Sequence, residues 1–336
     1  MNPDSLFSKL FFASMALSLS AGTLFADPTP APAQPAGNGW DAAAFSYKVS
    51  APLVVEETTP TPAQVDWVHQ PPKLPAGTPP PVATKGKVEP FRTDYFNVTR
   101  LRFRDLEGDD VPALLATPRD RPGPYPVVIA LHGLRSNKGQ VCAQVGPTLC
   151  KQGFAVLAPD LPSHGERPGE ATKMFDQKDF KAFVHRCRQA VLDARLCIDV
   201  AEARPELDTK HGVIMVGYSM GAIFESIVGP ADPRVKAMCL MVGGTVDFPP
   251  VFAMVPQIAA LQPQLAITHF AGRPLLMLNA TADRIITREM SDRLYTAAPA
   301  PKEQEWYDSG HRLPDKAYQR CADWVASTWK TVLAGH

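Results

Sequence analysis

The pentapeptide GYSMG at residues 217–221 constrains the fold of this chain more than any other feature. An apolar, β-prone run at 212–216 precedes it, and residues 222–226, which can form a helix, follow it. A G-x-S-x-G sequence between a strand and a helix predicts a sharp turn that holds the serine above the edge of a sheet. Ser219 is therefore the candidate nucleophile. The alternative is an ordinary strand-to-helix turn with an unreactive serine.

The segments around this pentapeptide alternate between strands and helices. Alternating apolar and polar residues at 97–104, a turn, and a second strand at 111–117 predict an antiparallel hairpin. Beyond it, the predicted strands are 127–131, 154–158, 213–216, 235–242, 274–278 and 304–307, and the predicted helices are 138–152, 176–204, 220–228 and 314–333. This order predicts an α/β fold: a mostly parallel twisted sheet with helices on both faces and the hairpin at its N-terminal edge.

Local composition divides the chain into three parts. Residues 1–26 have the pattern of a secretory signal peptide, with an apolar core at 10–19 and a cleavage site after Ala26. Residues 27–95 are rich in proline and predict a linker followed by an N-terminal extension with a strand or two. Residues 96–336 form the predicted catalytic domain. We therefore expect a protein that is exported to the periplasm or secreted; a retained N-terminal anchor is the alternative.

The composition argues against several classes of partner. The 336 residues include 34 basic and 34 acidic side chains, so no net charge attracts nucleic acid. After the N-terminal segment, no apolar run approaches the ~18 residues of a membrane-spanning helix. No C-x-x-C pattern occurs among the six cysteines, which argues against a zinc or redox site. We expect a small-molecule substrate, no cofactor and no metal, while the sequence leaves the oligomeric state open.

Four of the cysteines fall in pairs within predicted helices. Cys142 and Cys150 are eight residues apart, and Cys187 and Cys197 are ten residues apart. Helical spacing puts these pairs about 12 and 15 Å apart, which is too far for a disulfide. Other pairings remain open in an exported protein, and most of the cysteines are expected to be small buried apolar residues.

Two further residues follow the serine in the chain order that such a nucleophile requires. A serine hydroxyl attacks when a base removes its proton, and the usual base is a histidine oriented by a carboxylate. After a nucleophile on a strand-to-helix turn, the acid comes before the histidine. His311, on a loop after the last predicted strand, is the candidate base, and Asp283, after the 274–278 strand, is the candidate acid. Asp308 and Asp247 are the alternative acids.

Acyl transfer also needs two backbone donors for the developing oxyanion. The Met220 N–H, at the start of the helix after Ser219, is the first candidate. The loop after the first parallel strand reads His132-Gly133-Leu134, and the Leu134 N–H is the second candidate. His132 itself is expected to be structural, with its ring hydrogen-bonded to backbone groups.

Two loops carry competing interpretations. Residues 160–167 (DLPSHGER) contain histidine, carboxylate and arginine side chains, and charge pairing within the fold explains them more simply than a metal or substrate site. Residues 245–272 interrupt the alternation of strands and helices, and contain a short amphipathic stretch at 255–265. We predict that they form a small lid over the carboxyl edge of the sheet. An ordinary surface loop is the alternative.

Residues ~97–333 resemble the α/β-hydrolase superfamily. The matching landmarks are LHG at 131–133, DLPSHGER at 160–167, GYSMG at 217–221, Asp283 after RPLLMLNA, and GHRLP at 310–314. Within the superfamily, the chain is similar to the dienelactone-hydrolase-related and acetyl-esterase-like groups. This resemblance implies a carboxylic ester hydrolase with a Ser–Asp–His triad and no cofactor. Dienelactone hydrolases themselves use a cysteine nucleophile, and Ser219 departs from that pattern.

The expected function is therefore hydrolysis of carboxylic esters through an acyl-enzyme intermediate. An amide- or peptide-cleaving serine hydrolase is one alternative, and a non-catalytic binding protein on the same scaffold is another. The acyl and alcohol preferences depend on the shape of the pocket, which the sequence does not define.

Overall fold

The computed structural model describes residues 39–49, 53–60, 91–93, 95–176, 178–248 and 255–335. The predicted signal peptide, much of the proline-rich region and residues 249–254 of the predicted lid lie outside this described part. Within it, strands and helices alternate along the chain from residue 125 onward.

The strands of the described residues form one eleven-stranded sheet. They are β1 (Glu56–Thr58), β2 (Phe91–Arg92), β3 (Phe96–Arg104), β4 (Asp110–Pro118), β5 (Tyr125–Leu131), β6 (Ala155–Pro159), β7 (Leu207–Asp208), β8 (Val213–Tyr218), β9 (Val235–Met241), β10 (Leu275–Ala280) and β11 (Lys302–Tyr307). The order is β1-β3-β4-β6-β5-β8-β9-β10-β11, with β2 beside β3 and β7 beside β5. From β6 to β11 the neighbours are parallel, whereas β1, β3, β4 and β6 pair antiparallel. The predicted α/β fold class and N-terminal hairpin are confirmed.

Helices cover both faces of the sheet. They are α1 (Lys138–Gln152), α2 (Phe180–Glu202), α3 (Met220–Ala231), α4 (Pro256–Ala260), α5 (Pro263–Ala266), α6 (Arg288–Ala297) and α7 (Asp315–Ala334). Alternate residues of β5 divide between two cores: Ile129 packs with α2 and α3, and Val128 packs with α1 and α7. This alternation follows from the two-residue period of a strand. Parallel strands buried on both faces explain the continuous apolar runs of the sequence.

Several predicted boundaries differ from the structure. The helix predicted at 176–204 begins at Phe180, because the Asp179 carboxylate caps it by accepting a hydrogen bond from Ala182 N at 3.0 Å. The amphipathic stretch at 255–265 forms two short helices instead of one. The second starts at Pro263, whose ring favours the first position of a helix and lacks the N–H needed to continue one.

Helix α6 was not predicted, because most of its residues are polar. Only one face of it is apolar, and Met290 and Leu294 on that face are buried. The Thr287 hydroxyl caps its start by accepting a hydrogen bond from Met290 N at 3.3 Å. Its apolar residues have helical spacing, but they are few, so a search for apolar runs does not find this ten-residue helix.

The described part of the N-terminal extension packs against the domain. Phe45 is buried in the core beside α2 and α3. The Tyr47 hydroxyl donates a hydrogen bond to Asp199 at 2.5 Å, and the Trp40 indole N–H donates to the Ala260 carbonyl at 3.0 Å. This segment therefore connects α2 with the first short helix of the 255–272 region.

Candidate active site

Ser219 lies in the tight turn between β8 and α3. Its backbone has φ 54° and ψ −112°, a strained conformation for a residue with a side chain. A Cβ at position 221 would come within 2.1 Å of the Leu131 carbonyl oxygen, so only glycine fits there. Likewise, a Cβ at Gly217 would lie 2.6 Å from the Ala222 amide nitrogen. The two glycines therefore allow the strand and the helix to approach closely enough to form this turn.

Three side chains meet above this turn in a continuous hydrogen-bonded relay. The Ser219 Oγ lies 2.9 Å from His311 Nε2, and His311 Nδ1 lies 2.8 Å from Asp283 Oδ2. The other carboxylate oxygen, Oδ1, accepts hydrogen bonds from the amides of Ile285 (2.8 Å) and Ile286 (3.1 Å). These amides fix the carboxylate, which in turn holds the proton of the imidazole on Nδ1. Nε2 is thereby left to accept the serine proton.

The loops that carry the acid and the histidine are joined to each other. Thr281 N donates to the Tyr307 carbonyl at 2.9 Å, and Ala282 N donates to the Ser309 carbonyl at 3.0 Å. The Asp283 side chain is 2% exposed and the His311 side chain is 26% exposed. The relay thus has a buried carboxylate at one end and reaches solvent at the imidazole.

The two alternative acids occupy other places. Asp308 is exposed, and its carboxylate lies 3.5 Å from the Thr281 hydroxyl. Asp247 forms an ion pair with Arg293 at 2.6 Å. The carboxylate that contacts His311 is that of Asp283.

The loop at His132-Gly133-Leu134 approaches the nucleophile closely. A Cβ on Gly133 would lie 3.5 Å from the Ser219 Cβ. The Gly133 carbonyl accepts hydrogen bonds from His132 Nδ1 at 2.8 Å and from Ser136 N at 3.1 Å. Because a trans peptide unit is planar, fixing this carbonyl also fixes the Leu134 N–H, which points the opposite way. The Leu134 N–H, the predicted second donor to the oxyanion, is therefore held in one direction.

The predicted first donor is the amide of Met220. Met220 is the first residue of α3, directly after the nucleophile. The first N–H groups of a helix have no intrahelical acceptor, and the helix dipole favours negative charge there. The position therefore suits an oxyanion.

A cavity of about 620 Å³ opens above the relay. Its lining comprises Gly133, Leu134, Ser136, Gln140, Gln144, Tyr218, Ser219, Ala282, Arg284, Ile285, Gly310, His311 and Arg312. Sequence reasoning missed Gln140, Gln144, Arg284 and Arg312 as cavity residues. The one local signal was the spacing of the two glutamines, which places both on one face of a helix. The described residues of the 245–272 region do not contribute to this lining, so their role as a lid stays a prediction.

The sequence matches the Dienelactone hydrolase family over residues 111–311, more than half of the chain. The chain belongs to the dienelactone hydrolase family. The matched region begins within the second strand of the hairpin and contains all three residues of the relay, Ser219, Asp283 and His311. Family membership shows that the protein is a hydrolase.

Two proteins with similar sequences have the names of enzymes. Esterase YjfP of Escherichia coli (strain K12) is 29% identical over 211 residues, covering 56% of this chain and 81% of YjfP. A putative carboxymethylenebutenolidase of Yersinia pestis is 28% identical over 148 residues, covering 42% of this chain and 51% of that protein.

Solved structures show the same fold at lower identity. Acetyl xylan esterase 1 from Thermoanaerobacterium sp. JW/SL YS485 superposes with a TM-score of 0.59 at 17% identity, covering 71% of this chain and 86% of that one. An acetyl xylan esterase from Paenibacillus sp. R4 gives a TM-score of 0.57 at 17% identity, with the same coverage. At such identities the likeness shows the fold alone.

In this dienelactone hydrolase family member, His132 is buried and bonded to backbone groups on both sides. Its Nδ1–H donates to the Gly133 carbonyl, and its Nε2 accepts a hydrogen bond from Leu161 N at 3.0 Å. Burial and the neighbouring His164 lower the pKa of His132 to about 3. The ring is therefore neutral and has no free nitrogen for proton transfer, so it positions the Gly133 loop.

The loop at 160–167 contains a buried network of charges. The Asp160 carboxylate accepts hydrogen bonds from the backbone N and Nζ of Lys138, at 2.9 and 2.6 Å, and from Glu166 N at 2.9 Å. Burial raises the pKa of Glu166, but Lys138 and Arg100 outweigh it and lower that pKa to about 2. The described residues contain no cluster of side chains suited to a metal ion. These charges satisfy one another within the fold.

All six cysteines of this family member are buried free thiols. Burial raises the pKa of Cys142 to about 12, so its reactive thiolate form is scarce at neutral pH. At the turn where a dienelactone hydrolase would carry a cysteine, this chain has Ser219.

No helix in the described part of the chain combines the length and the apolar character needed to cross a membrane.

Proposed function

We propose that this member of the dienelactone hydrolase family is a serine esterase. In this proposal Ser219 is the nucleophile, His311 the general base and Asp283 the residue that orients the base. The observation that carries it is the relay from Ser219 Oγ to His311 Nε2 at 2.9 Å and from His311 Nδ1 to Asp283 Oδ2 at 2.8 Å, at the floor of an open cavity.

The proposed reaction has two halves. His311 Nε2 takes the hydroxyl proton while Ser219 Oγ attacks the ester carbonyl carbon, which gives a tetrahedral intermediate. The carbon–oxygen bond to the alcohol then breaks, and His311 returns the proton to the leaving alkoxide. Water, deprotonated by the same nitrogen, attacks the acyl-enzyme and releases the acid and the free serine. Asp283 keeps its negative charge throughout and stabilises the imidazolium.

The negative charge on the tetrahedral oxygen needs donors that are in place before the reaction. We assign this role to the Met220 and Leu134 N–H groups. Each such donor is worth about 3 to 4 kcal/mol of the barrier. The hydrogen bond from His132 to the Gly133 carbonyl supports the second donor by holding its peptide plane.

Carboxylic esters are the proposed substrates because a relative of this chain, YjfP, is named as an esterase. The same relay could serve an amide-cleaving enzyme, and a binding protein could retain the scaffold without turnover. Hydrolysis of p-nitrophenyl acyl esters, compared with aminoacyl anilides, separates ester from amide preference. Covalent reaction with a fluorophosphonate probe separates an active hydrolase from a binding protein.

Replacement of the nucleophile is the decisive test. Ser219→Ala is expected to lower ester turnover by about 10⁴- to 10⁶-fold and to abolish probe labelling, while the fold is retained. Ser327→Ala, an exposed serine on α7, is the matched control and should retain full activity. Near-normal hydrolysis by Ser219→Ala would reject the proposal.

We further propose that residues 1–26 direct export of the protein and are removed by cleavage after Ala26. The support is the sequence pattern of residues 1–26, which lie outside the described residues. N-terminal sequencing of the protein recovered from periplasmic and culture fractions tests it. Recovery of the uncleaved chain from the cytoplasm alone would contradict it.

A further inference from the structure

Tyr218, the residue immediately before the nucleophile, connects the turn that carries Ser219 with the loop that carries His311. Its hydroxyl donates a hydrogen bond to the His311 carbonyl at 2.8 Å and accepts one from Leu313 N at 3.1 Å. One phenol oxygen therefore satisfies two backbone groups, one on His311 itself and one two residues after it. These contacts fix the loop backbone from His311 to Leu313, directly after the side chain that must accept the proton.

The tyrosine ring itself is held in place. Its ring lies edge-on to the His311 imidazole, with centroids 6.1 Å apart and planes at 80°. On the other side, the Tyr318 ring of α7 stacks on it with centroids 6.5 Å apart and planes at 19°. The Tyr218 residue is 9% exposed, so burial favours a single conformation of the phenol. The hydroxyl is therefore presented to the loop by a rigid support.

Tyr218 is directly bonded to the nucleophile residue, so it connects the histidine loop to Ser219 itself. Tyr218 is the last residue of β8, and the next residue is the strained Ser219, whose N–H donates to the Met241 carbonyl at 2.8 Å. A displacement of the strand end would thus move the nucleophile and the phenol together. Through the phenol hydrogen bond, the backbone of His311 is attached to the same strand end as Ser219.

We propose that Tyr218 is a positioning residue that holds the His311 imidazole at proton-transfer distance from Ser219. This inference rests on the proposed function of these two residues. Tyr218 acts through the backbone of the histidine loop, and it neither donates nor accepts a proton in the reaction. Because misplacement of a catalytic group by about 1 Å can cost about 100-fold in rate, the effect should fall on turnover more than on substrate binding.

The test is the substitution Tyr218→Phe, which removes the hydrogen bonds to His311 and Leu313, together with the interaction of the two hydroxyls of Tyr218 and Tyr318, and keeps both ring contacts. We expect kcat for a p-nitrophenyl ester to fall about 10- to 100-fold, with KM changed by less than about threefold. The rate of fluorophosphonate labelling at Ser219 should fall by a similar factor. Melting curves identify a temperature at which the wild type and the Tyr218→Phe variant are both folded, and all rates are compared at that temperature.

Tyr295→Phe is the matched control. The Tyr295 hydroxyl also donates to a backbone carbonyl, that of Lys302 at 3.4 Å, but it lies outside the cavity lining. Its removal should leave kcat and KM within about twofold of the wild type. Tyr295 is half-buried, so the control reports the general effect of deleting a phenol hydroxyl that donates to a backbone carbonyl. Such an effect would appear in both variants, whereas positioning of the imidazole predicts an effect at Tyr218 alone.

The outcomes separate the two proposals. Wild-type protein that neither hydrolyses any ester nor reacts with the probe contradicts the proposed function. An active wild type with a folded Tyr218→Phe variant of unchanged kcat and labelling rate contradicts the positioning role of Tyr218. A rise in KM with constant kcat would show a substrate contact instead and would also overturn the inference.

Discussion

His311 and His132 both follow parallel strands at the carboxyl edge of the sheet, yet their surroundings are opposite. The His311 ring bonds to a carboxylate on one side and to a hydroxyl on the other, and its side chain is 26% exposed. The His132 ring is fully buried, and backbone groups occupy both of its nitrogens. The same residue type on the same edge is thus suited to proton transfer in one place and to bracing a loop in the other.

The two rings differ in whether their surroundings stabilise the charged imidazolium that forms when the second nitrogen takes up a proton. Beside Asp283, a carboxylate stabilises the charged ring that forms during catalysis. Within the buried cluster, protonation of His132 would break the hydrogen bond from Leu161 N and place a positive charge away from water, next to His164. Burial and this neighbour lower the pKa of His132 to about 3. A histidine at the carboxyl edge of this sheet is therefore suited to act as a base only where the surrounding structure stabilises the charged ring.

Among the changes that test this comparison of His311 with His132, the largest expected effect comes from the acid of the relay. Asp283→Asn should lower kcat by about 10³- to 10⁴-fold, because an amide NH₂ facing Nδ1 favours the wrong tautomer of His311. The asparagine oxygen can still accept the hydrogen bonds from the Ile285 and Ile286 amides, so the loop should fold. Steady-state kinetics, with a melting curve for each variant, measure this. Activity within tenfold of the wild type would remove Asp283 from its proposed role.

The next effect is on stability and concerns His132. An unfolded histidine takes up a proton near its ordinary pKa of about 6.5, whereas folded His132 does so only near 3. Its contribution is therefore present above pH 6.5 and is lost as the pH falls towards 3, by up to about 5 kcal/mol. Urea unfolding at a series of pH values measures this decline. Between pH 6.5 and 4.5 it precedes the titration of Glu166 and includes a contribution from His164, whose pKa is also lowered by burial.

A substitution sharpens this prediction. His132→Asn should reduce the free energy of unfolding at pH 7 by about 2 to 4 kcal/mol, since two buried backbone groups lose their partner. It should also flatten the decline between pH 6.5 and 4.5. His185→Asn, an exposed histidine on α2, is the control and should preserve the wild-type profile. An unchanged pH profile in His132→Asn would show that other groups cause the decline.

The smallest effects are expected at the two carboxylates that the structure places away from the imidazole. Asp308→Asn and Asp247→Asn should each leave kcat and KM within about threefold of the wild type. Asp308 is exposed, and the ion pair of Asp247 with Arg293 is partly exposed. Kinetics under the conditions used for Asp283→Asn provide the comparison. A loss above 100-fold in either variant would move the role of the acid to that residue.

The elements that the sequence predicted well are those with a continuous apolar run or with clear residues at their start and end. Helix α1 spans Lys138–Gln152, as predicted, because Asn137 caps its start and Gly153 ends it in a left-handed conformation. Helix α6 has few apolar residues and strand β7 has only two residues, so neither is conspicuous in the sequence. The three relay residues could be chosen from the sequence because each follows a predicted strand in a fixed order.

The sequence by itself determined the α/β alternation, the turn at Ser219 and the order of the candidate acid and base, since these depend on local periodicity and chain order. Only the tertiary structure decided which histidine meets the serine, which carboxylate meets that histidine, and which side chains line the cavity. The physical reason is that distances and desolvation arise between residues far apart in the chain. Tyr218 shows this most clearly: its phenol reaches a backbone carbonyl 93 positions away, and no local pattern contains that contact.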